Sequence, residues 1–334
     1  MIRRRLLSTV AVACAAALVL AACGGRQQPA ATPATAGASS CQAGSGQITI
    51  ATGNSTGVYY VLGGGLASLI SANTPLKATA AETGASVQNI QQLVAGEYDI
   101  AFSLADTAAD AVRGQGAFTA PQNVQALARI YSNYTHVVVQ RSSGITTMAD
   151  FRGKRISTGS PKSGTEVIAN RLLQAAGLNP ETDVQPQRLE LGKTIDAMKD
   201  GSIDGFVWSG GLPTGGVTDL FTSAGDRVEF VDISGMLPKM QEINPVYAEG
   251  TVPASAYGTP TDVKTIVVPN LLLVRQDFPA ENACAITRLM FDKKADLEKV
   301  HPAAKELDPK MAAETAPVEL APGARTALQQ LGAS

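Results

Sequence analysis

The sequence has few of the residues on which metal sites and most enzyme active sites depend. Its 334 residues include two histidines and four cysteines. His136 lies in the apolar segment HVVVQ, where it is predicted to be a sheet residue. His301 lies in the charged segment EKVHPAAKE, where it is predicted to lie on the surface. Because two such distant histidines form no ligand cluster, the sequence predicts neither a metal centre nor any other cofactor.

The sequence also lacks an excess of positive charge. It contains 27 lysines and arginines against 29 aspartates and glutamates, a net charge of −2 at pH 7. Proteins that bind nucleic acid through its phosphates carry a basic surface, and so this balance argues against DNA or RNA as a partner. Beyond the first residues, no segment is long and apolar enough to predict a membrane span.

The start of the chain is typical of a bacterial export signal. Three arginines precede an apolar run that ends in Leu20-Ala21-Ala22-Cys23, the pattern of a lipobox. A transmembrane anchor is the competing interpretation, but a bilayer core needs roughly 20 apolar residues. We predict a signal peptide over residues 1–22, acylation of Cys23 and a flexible tether over residues 23–46. The lipid would hold the protein at the outer face of the cytoplasmic membrane.

Two cysteines, Cys41 and Cys284, remain beyond this signal and the acylated cysteine. Export to an oxidising compartment permits a disulfide bond. We predict that these two residues form one, which would fasten the end of the tether to the last third of the chain. Two independent buried thiols are the alternative.

From residue 47 onward, short apolar runs alternate with segments of helical periodicity, as in an α/β fold. Strands are predicted at ITIAT, LKATAAE, YDIAFS, ALARIY and HVVVQR, and the first three each lead into a helix. A second set of such units begins at Ile145, and after a loop that reaches Pro260 the extended segment TIVVPNLLLVR precedes a final helix over Asn282 to Val300. We therefore predict two lobes joined by a two-strand hinge over a ligand cleft: residues 47–140 plus 264–334, and residues 141–263.

Three predicted strands end in loops rich in glycine, serine and threonine: TGNSTG, TGAS and SPKSGT. Each loop leads into a helix, whose first amide groups lack internal partners and carry partial positive charge. Three such helix starts at one cleft could hold a carboxylate without any arginine. The hydroxyl groups that would assist belong to Thr52, Ser55, Thr56, Ser86, Ser163 and Thr165. The alternative is that these residues only cap their helices.

The first of these loops also fits a catalytic motif. Gly53-Asn54-Ser55-Thr56-Gly57 matches G-x-S-x-G, the nucleophile elbow of serine hydrolases. That chemistry needs a histidine partner for Ser55, and neither histidine lies in a segment that suggests one. Gly192-Lys193-Thr194 resembles the end of a phosphate loop, but Gln187 stands where that motif requires glycine. The sequence therefore favours a binding protein over an enzyme.

Four segments in this order resemble the TAXI family, the extracytoplasmic solute receptors of TRAP transporters. They are ITIATGNSTGVYYVLGGGLASLI, TGASVQNIQQLVAGEYDIAFSLADTAADAVRGQGAF, FRGKRISTGSPKSGTEVIANRLLQAAGL and KDGSIDGFVWSGGLP. The resemblance implies a type II periplasmic-binding-protein fold. It points to Tyr59 and Tyr60 at the cleft, to Ser86 and Asn89, and to Ser163-Gly164-Thr165. Two departures are Ala85 in place of the family's glycine and Leu104-Ala105 in place of its Gln-Ser.

The candidate ligand-binding residues combine the loop analysis with the resemblance. Trp208, the single tryptophan, is included because it ends a predicted strand, and Asp106 is expected to cap its helix instead. The candidates are Thr52, Gly53, Ser55, Thr56, Gly57, Tyr59, Tyr60, Ser86, Asn89, Ser103, Ser160, Ser163, Gly164, Thr165 and Trp208.

We predict a lipid-anchored, monomeric receptor. The resemblance implies that it captures a small organic acid and delivers it to the membrane subunits of a TRAP permease. Glutamate, glutamine, 2-oxo acids and dicarboxylates are the expected ligands. Three alternatives stay open from the sequence. They are a receptor of an ABC importer for sulfonate- or pyrimidine-like ligands, a sensor domain, and a serine hydrolase that uses Ser55.

Overall fold

The structure is a computed structural model, and it describes residues 41–333. The predicted signal peptide, the lipidation site Cys23 and most of the tether lie outside the described residues. The strands are β1 Gly46–Ala51, β2 Leu76–Ala81, β3 Ile100–Leu104, β4 Val124–Gln140, β5 Arg155–Ser157, β6 Gln185–Gln187, β7 Gly205–Gly210, β8 Val228–Phe230, β9 Ala248–Val252 and β10 Val263–Arg275.

The helices alternate with the strands in the first part of the chain and cluster at its end. They are α1 Val58–Asn73, α2 Ser86–Val94, α3 Ala105–Arg113, α4 Gly164–Ala175, α5 Leu191–Asp200, α6 Gly215–Ala224, α7 Leu237–Ile243, α8 Ala254–Tyr257, α9 Ala280–Asp292, α10 Lys294–Val300, α11 Pro309–Ala312 and α12 Pro322–Gln330. Short 3-10 turns occupy Arg141–Ser143, Met148–Phe151, Ser234–Met236 and Pro302–Glu306.

The strands form one curled sheet in the order β2-β1-β3-β10-β4-β7-β5-β6, with β8 beside β4 and β9 beside β10. Strands β1, β2 and β3 are parallel, as are β5, β6 and β7, whereas β4 and β10 run antiparallel to their neighbours. The first set of parallel strands, with α1 to α3, forms lobe 1, and the second set, with α4 to α6, forms lobe 2.

Two long strands join the lobes. Residues 124–134 of β4 pair with β10, and residues 134–139 pair with β7 of lobe 2. Strand β10 pairs with β3 through residues 270–274 and with β9 through residues 263–267. The predicted fold class, two α/β lobes on a two-strand hinge, is confirmed, while the exact lobe boundaries stay a prediction.

Three expectations about individual elements were wrong. The two strands predicted at ALARIY and HVVVQR are one strand, because pairing with β10 continues through the polar residues between them, at Asn133 and Tyr134. The final helix predicted over Asn282 to Val300 breaks at Lys293, whose backbone is not helical, and two further helices follow. The loop predicted to reach Pro260 contains α7, β9 and α8.

Packing of α1 on the sheet determines the entrance to the cleft. Val58, Leu62, Leu66 and Ile70 recur every four residues and are buried against the sheet, which is the apolar face of a helix. Gly63 allows the close approach, because a Cβ atom there would lie 2.4 Å from the Cγ2 methyl group of Thr52. The first turn of α1 is thereby placed at the carboxyl end of β1.

The structure joins Cys41 to Cys284 in α9 by a disulfide, with the two Cα atoms 4.9 Å apart. The bond closes a loop of 243 residues in sequence and links the start of the described chain to lobe 1. Over residues 41–333, no helix is both long and apolar enough to cross a bilayer. Within the same range, no group of histidine, cysteine or acidic side chains is placed to hold a metal ion.

Candidate functional site

A cavity lies between the two lobes, beside the hinge. Its volume is about 30 Å³, on a scale where one buried water needs roughly 10–15 Å³. The lobes therefore enclose a space for very few atoms in this conformation. It is lined by Gly53, Asn54, Gly57, Val58, Tyr59, Gly84, Ala85, Ser86, Leu104, Tyr131, Asn133, Ser163, Gly164, Thr165, Trp208, Ser209 and Gly210.

Three helices begin at this cavity: α1 after Gly57, α2 after Ala85 and α4 after Ser163. Only α4 has a side-chain cap, in which the hydroxyl group of Ser163 accepts from the backbone amide of Glu166 at 3.0 Å. The starts of α1 and α2 have no such cap. Their first amide groups and their positive dipole ends are therefore directed toward the space between the lobes.

Lobe 2 closes onto lobe 1 through the start of α4. A Cβ atom on Gly164 would lie 2.5 Å from Cδ1 of Leu104 and 2.7 Å from Oγ of Ser86, both in lobe 1. The backbone amide of Gln88 donates to the carbonyl of Lys162 across the same gap, at 3.0 Å. Any residue larger than glycine at position 164 would hold the lobes apart.

Leu104 and Ala85, the two departures from the family pattern, both line the cavity. Ala85 has φ 81° and ψ −150°, a conformation that is essentially restricted to glycine. An alanine there carries backbone strain at the start of α2. Leu104 presents an apolar side chain where an amide was expected, and so this wall of the cavity is less polar than the resemblance implied.

A hydrogen-bonded chain of neutral side chains runs from lobe 1 through both hinge strands. The hydroxyl group of Tyr59 donates to Oδ1 of Asn270 at 2.5 Å, and Nδ2 of Asn270 donates to Oδ1 of Asn133 at 2.8 Å. Nδ2 of Asn133 then donates to the carbonyl of Ser209 in lobe 2 at 3.0 Å. Burial raises the pKa of Tyr59 far above its ordinary value, and so the phenol stays neutral.

Eight of the fifteen candidate residues line the cavity: Gly53, Gly57, Tyr59, Ser86, Ser163, Gly164, Thr165 and Trp208. Trp208 is partly buried, its indole N–H donates to the hydroxyl group of Thr214 at 3.3 Å, and its ring faces Gly57. The single tryptophan therefore lies in lobe 2 against the first turn of α1 in lobe 1.

Seven candidates do not line the cavity in this conformation, and their role at the ligand stays a prediction. Three are exposed to solvent beyond the cavity: Ser55, Thr56 and Tyr60. Tyr60 follows Tyr59 on the helix, and the two side chains point in directions about 100° apart. Only Tyr59 reaches the cleft.

The other four candidates outside the cavity wall make hydrogen bonds within the protein. Thr52 donates to the carbonyl of Ala81, and Ser103 to the carbonyl of Leu104. The amide of Asn89 donates to the carbonyls of Thr52 and Phe102, which ties α2 to β1 and β3. Ser160 of lobe 2 donates to Oδ1 of Asn54 at 3.2 Å, an interlobe contact next to the cavity.

Nine lining residues were not among the candidates: Asn54, Val58, Gly84, Ala85, Leu104, Tyr131, Asn133, Ser209 and Gly210. Asn54 lies inside the first glycine-rich loop, where its amide accepts from both Ser160 and the backbone of Leu191. Tyr131 and Asn133 come from the hinge strand. Asn133 lies in the polar segment SNYT within an otherwise apolar extended region, which is a sequence signal for it, whereas Tyr131 directly precedes that segment.

Beside the cavity, a buried ion-pair cluster joins α3 of lobe 1 to α4 of lobe 2. Arg171 donates to Asp106 at 2.9 Å and to Asp110 at 2.5 Å, and Tyr247 donates to Asp106 at 2.5 Å. Burial lowers the pKa of Arg171, but the charge of Asp106, the phenol of Tyr247 and the charge of Asp110 raise it above its ordinary value overall. Asp106 is therefore an interlobe ion-pair partner. It does not stand at the N-cap of α3, which is Leu104, but its Oδ1 accepts from the backbone amide of Thr107 in the first turn at 2.7 Å.

Both histidines are committed to structural hydrogen bonds. Nδ1 of His136 lies 2.8 Å from the carbonyl of Tyr134, and this nitrogen must carry the proton, so that Nε2 accepts from the hydroxyl group of Tyr257 at 2.7 Å. Nδ1 of His301 accepts from the backbone of Ala303, and its Nε2–H donates to the carbonyl of Pro213 in lobe 2. His301 is thus partly buried between the lobes, and its placement on the surface was wrong.

Neither histidine bonds to Ser55. The hydrogen bond seen at Ser55 is from its backbone amide to Glu82, at 2.8 Å. The geometry of the described residues therefore gives the hydrolase hypothesis no base for its nucleophile.

Comparison with known proteins agrees with this architecture. The model of the NMT1-like family matches residues 50–332 of the chain. The binding-protein component of an ABC phosphonate transporter from Pseudomonas aeruginosa is similar in structure, with a TM-score of 0.53, 13% identity and coverage of 78% of this chain and 79% of that chain. A histidine-bound substrate-binding protein of an ABC uptake transporter from Streptococcus pneumoniae has a TM-score of 0.50 and 12% identity, covering 77% and 92%. At these identities the likeness shows a shared periplasmic-binding-protein fold.

Proposed function

The chain belongs to the NMT1-like family, and we propose that it is the extracytoplasmic receptor of a solute transport system. In this proposal the two lobes close on a small organic acid, and no chemical step takes place. The observation that carries it is the convergence of three helix starts on one interlobe cavity with no charged side chain in its wall. Helix starts of this kind bind anions.

The interlobe contacts support closure as the binding step. Hydrogen bonds at Asn54 and Gln88, together with the ion pairs of Arg171, exist only while the lobes are together. A ligand that contacts both lobes shifts the equilibrium toward this closed form by its differential affinity for the two states. Because closure excludes water from the cleft, it would strengthen each polar contact with the ligand.

We further propose that the partner is a TRAP permease, as the resemblance to the TAXI family implies, and that a lipid on Cys23 anchors the receptor at the outer face of the cytoplasmic membrane. The alternative within transport is an ABC importer, and the two similar proteins named above are components of ABC transporters. Uptake assays in membrane vesicles that contain the membrane subunits of the transporter distinguish the two systems. A sodium gradient drives uptake through a TRAP system, and ATP drives it through an ABC system.

The fluorescence of Trp208 tests the receptor function directly. The purified chain is titrated with short monocarboxylates, dicarboxylates, glutamate and glutamine, and thermal unfolding is recorded in parallel. We expect a saturable change for at least one acid and a rise in Tm with concentration, because a ligand that binds only the folded state stabilises it. Silence in both measurements across the panel, with the protein folded, would refute the organic-acid receptor.

A variant at the lobe contact provides the matched test. Gly164→Val adds atoms where Leu104 and Ser86 already fill the space, and so we expect at least a tenfold loss of affinity with lobes that still fold. Gly64→Ala is the control, because a Cβ atom there meets nothing within 4 Å. It should leave affinity unchanged and stabilise α1 by roughly 0.5–1 kcal/mol.

A further inference from the structure

The wall of the cavity contains no side chain that carries a charge. None of its seventeen residues is Asp, Glu, Lys, Arg or His. The acidic groups of the adjacent cluster, Asp106 and Asp110, are already paired with Arg171. A ligand with an ammonium group, or with a second carboxylate, would therefore hold a buried charge without a partner once the lobes close, and such a charge is strongly unfavourable.

Two buried hydroxyl groups in this wall have no hydrogen-bond partner among residues 41–333. They are Oη of Tyr131, on the hinge strand β4, and Oγ of Ser209, at the end of β7. Tyr131 is 2% exposed and Ser209 is 5% exposed. Buried hydroxyl groups are normally satisfied, and because both residues line the cavity, a molecule bound there can supply the missing partners. Burial raises the pKa of Tyr131, which keeps its phenol protonated and able to donate.

The remaining surface of the cavity is compact and partly apolar. Val58, Leu104 and Trp208 supply carbon surface in the same wall as the uncapped helix starts and the two hydroxyl groups. One end of the ligand must therefore be an anion, an adjacent part must hydrogen-bond, and the rest must be short and apolar.

We propose that the cleft selects short monocarboxylates that carry a neutral oxygen beside the carboxylate, that is 2-hydroxy or 2-oxo acids, and that it rejects amino acids and dicarboxylates. This inference rests on the proposed receptor function and narrows its ligand class. The amide groups at the starts of α1 and α2 bind the carboxylate, and Tyr131 and Ser209 bind the neutral oxygen. The resemblance to the TAXI family suggested glutamate, glutamine, 2-oxo acids and dicarboxylates. Of these ligand classes, the neutral wall favours the monocarboxylic 2-oxo acids and disfavours the others.

Calorimetric titration with matched acids tests the charge rule. Lactate carries a hydroxyl group where alanine carries an ammonium group, and malate carries a second carboxylate that lactate lacks. We expect lactate or pyruvate to bind at least 100-fold more tightly than alanine or malate, because removing the partner of a buried charge is that costly. Propionate, which lacks the neutral oxygen, should bind roughly tenfold more weakly than lactate.

Variants at the two hydroxyl groups separate binding from folding. Tyr131→Phe and Ser209→Ala each remove a hydroxyl group that has no partner in the described part of the chain. We therefore expect an unchanged or higher Tm but an affinity for lactate or pyruvate roughly tenfold lower. The control is Thr135→Val, since Thr135 has the same kind of unpartnered hydroxyl but lies outside the cavity wall. It should leave affinity unchanged.

The outcomes distinguish failure of this inference about the ligand class from failure of the proposed receptor function. Tighter binding of malate, succinate or glutamate than of lactate would overturn the inference and leave the organic-acid receptor standing. Affinity unchanged in both Tyr131→Phe and Ser209→Ala would also overturn it. If ethanesulfonate were the only acid that bound, the proposal that the ligand is a carboxylate would be overturned and the ABC alternative would be favoured. No binding by any of these acids would refute the proposed function itself.

Discussion

Replacing Arg171 with methionine tests whether the interlobe ion-pair cluster holds the lobes together. The guanidinium group bonds to Asp106, which is fully buried, and to Asp110, which is 6% exposed. Methionine preserves the apolar stem but leaves two buried carboxylates without a counter-ion. Removing one partner of a buried ion pair costs about 3–5 kcal/mol. With about 290 ordered residues, the unfolding entropy is about 0.6 kcal/mol/K, and so Tm should fall by about 5–8 °C.

Part of this cost should appear as opening of the cleft. Because α3 and α4 belong to different lobes, the two carboxylates regain water when the lobes separate, without unfolding either lobe. We therefore expect Arg171→Met to increase the radius of gyration in small-angle X-ray scattering and to weaken ligand binding, in addition to lowering Tm in calorimetry.

The control for this prediction is an ion pair within one lobe. Arg155 bonds to Asp204 at 2.6 Å, with 41% and 21% of the two side chains exposed. Such a pair contributes about 0–1 kcal/mol, and so Arg155→Met should change Tm little and leave the radius of gyration unchanged. If Arg171→Met matched this control in both measurements, or if adding Asp106→Asn and Asp110→Asn failed to restore Tm, the reasoning would be refuted.

Two further predictions concern stability. Burial, opposed by hydrogen bonds from the backbone, lowers the pKa of His136 to about 4. The unfolded chain therefore binds the extra proton first as pH falls below about 6.5, and this residue alone should remove about 2 kcal/mol between pH 8 and pH 5. Denaturant unfolding at both pH values should show this loss in the wild type and not in His136→Gln; an equal loss in both would contradict it. Ala85→Gly should raise the free energy of unfolding by about 1 kcal/mol, because the native φ of 81° suits glycine; a lower urea midpoint would exclude strain at this position.

The sequence by itself was sufficient to predict the α/β alternation and the two-strand hinge. Apolar runs such as ITIAT and helical periodicity such as that of α1 arise from neighbouring residues, and burial of each apolar face against the sheet follows locally. The three glycine-rich loops followed from the same local reasoning, because strand ends and helix starts are short-range features. The sequence places Gly164 at one of these helix starts, but it does not reveal that Gly164 contacts Leu104 and Ser86 of the other lobe.

Composition and motif spacing could not determine which side chains meet across the cleft. The sequence ranked Ser55 above Asn54, yet the loop turns Ser55 toward solvent and Asn54 toward lobe 2. Tyr131 lies in the predicted strand ALARIY, where nothing local marks it as a binding residue, and only the pairing of β4 with both β10 and β7 brings it to the cavity.

The sequence alone determined the local elements and their order, and it contained every residue of the cavity wall. Only the tertiary structure decided that Arg171 pairs with Asp106 and Asp110 and that the hydroxyl groups of Tyr131 and Ser209 have no partner. The physical reason is that charge pairing and hydrogen-bond satisfaction depend on contacts between residues far apart in the chain. Those contacts form only when two hinge strands bring the lobes together.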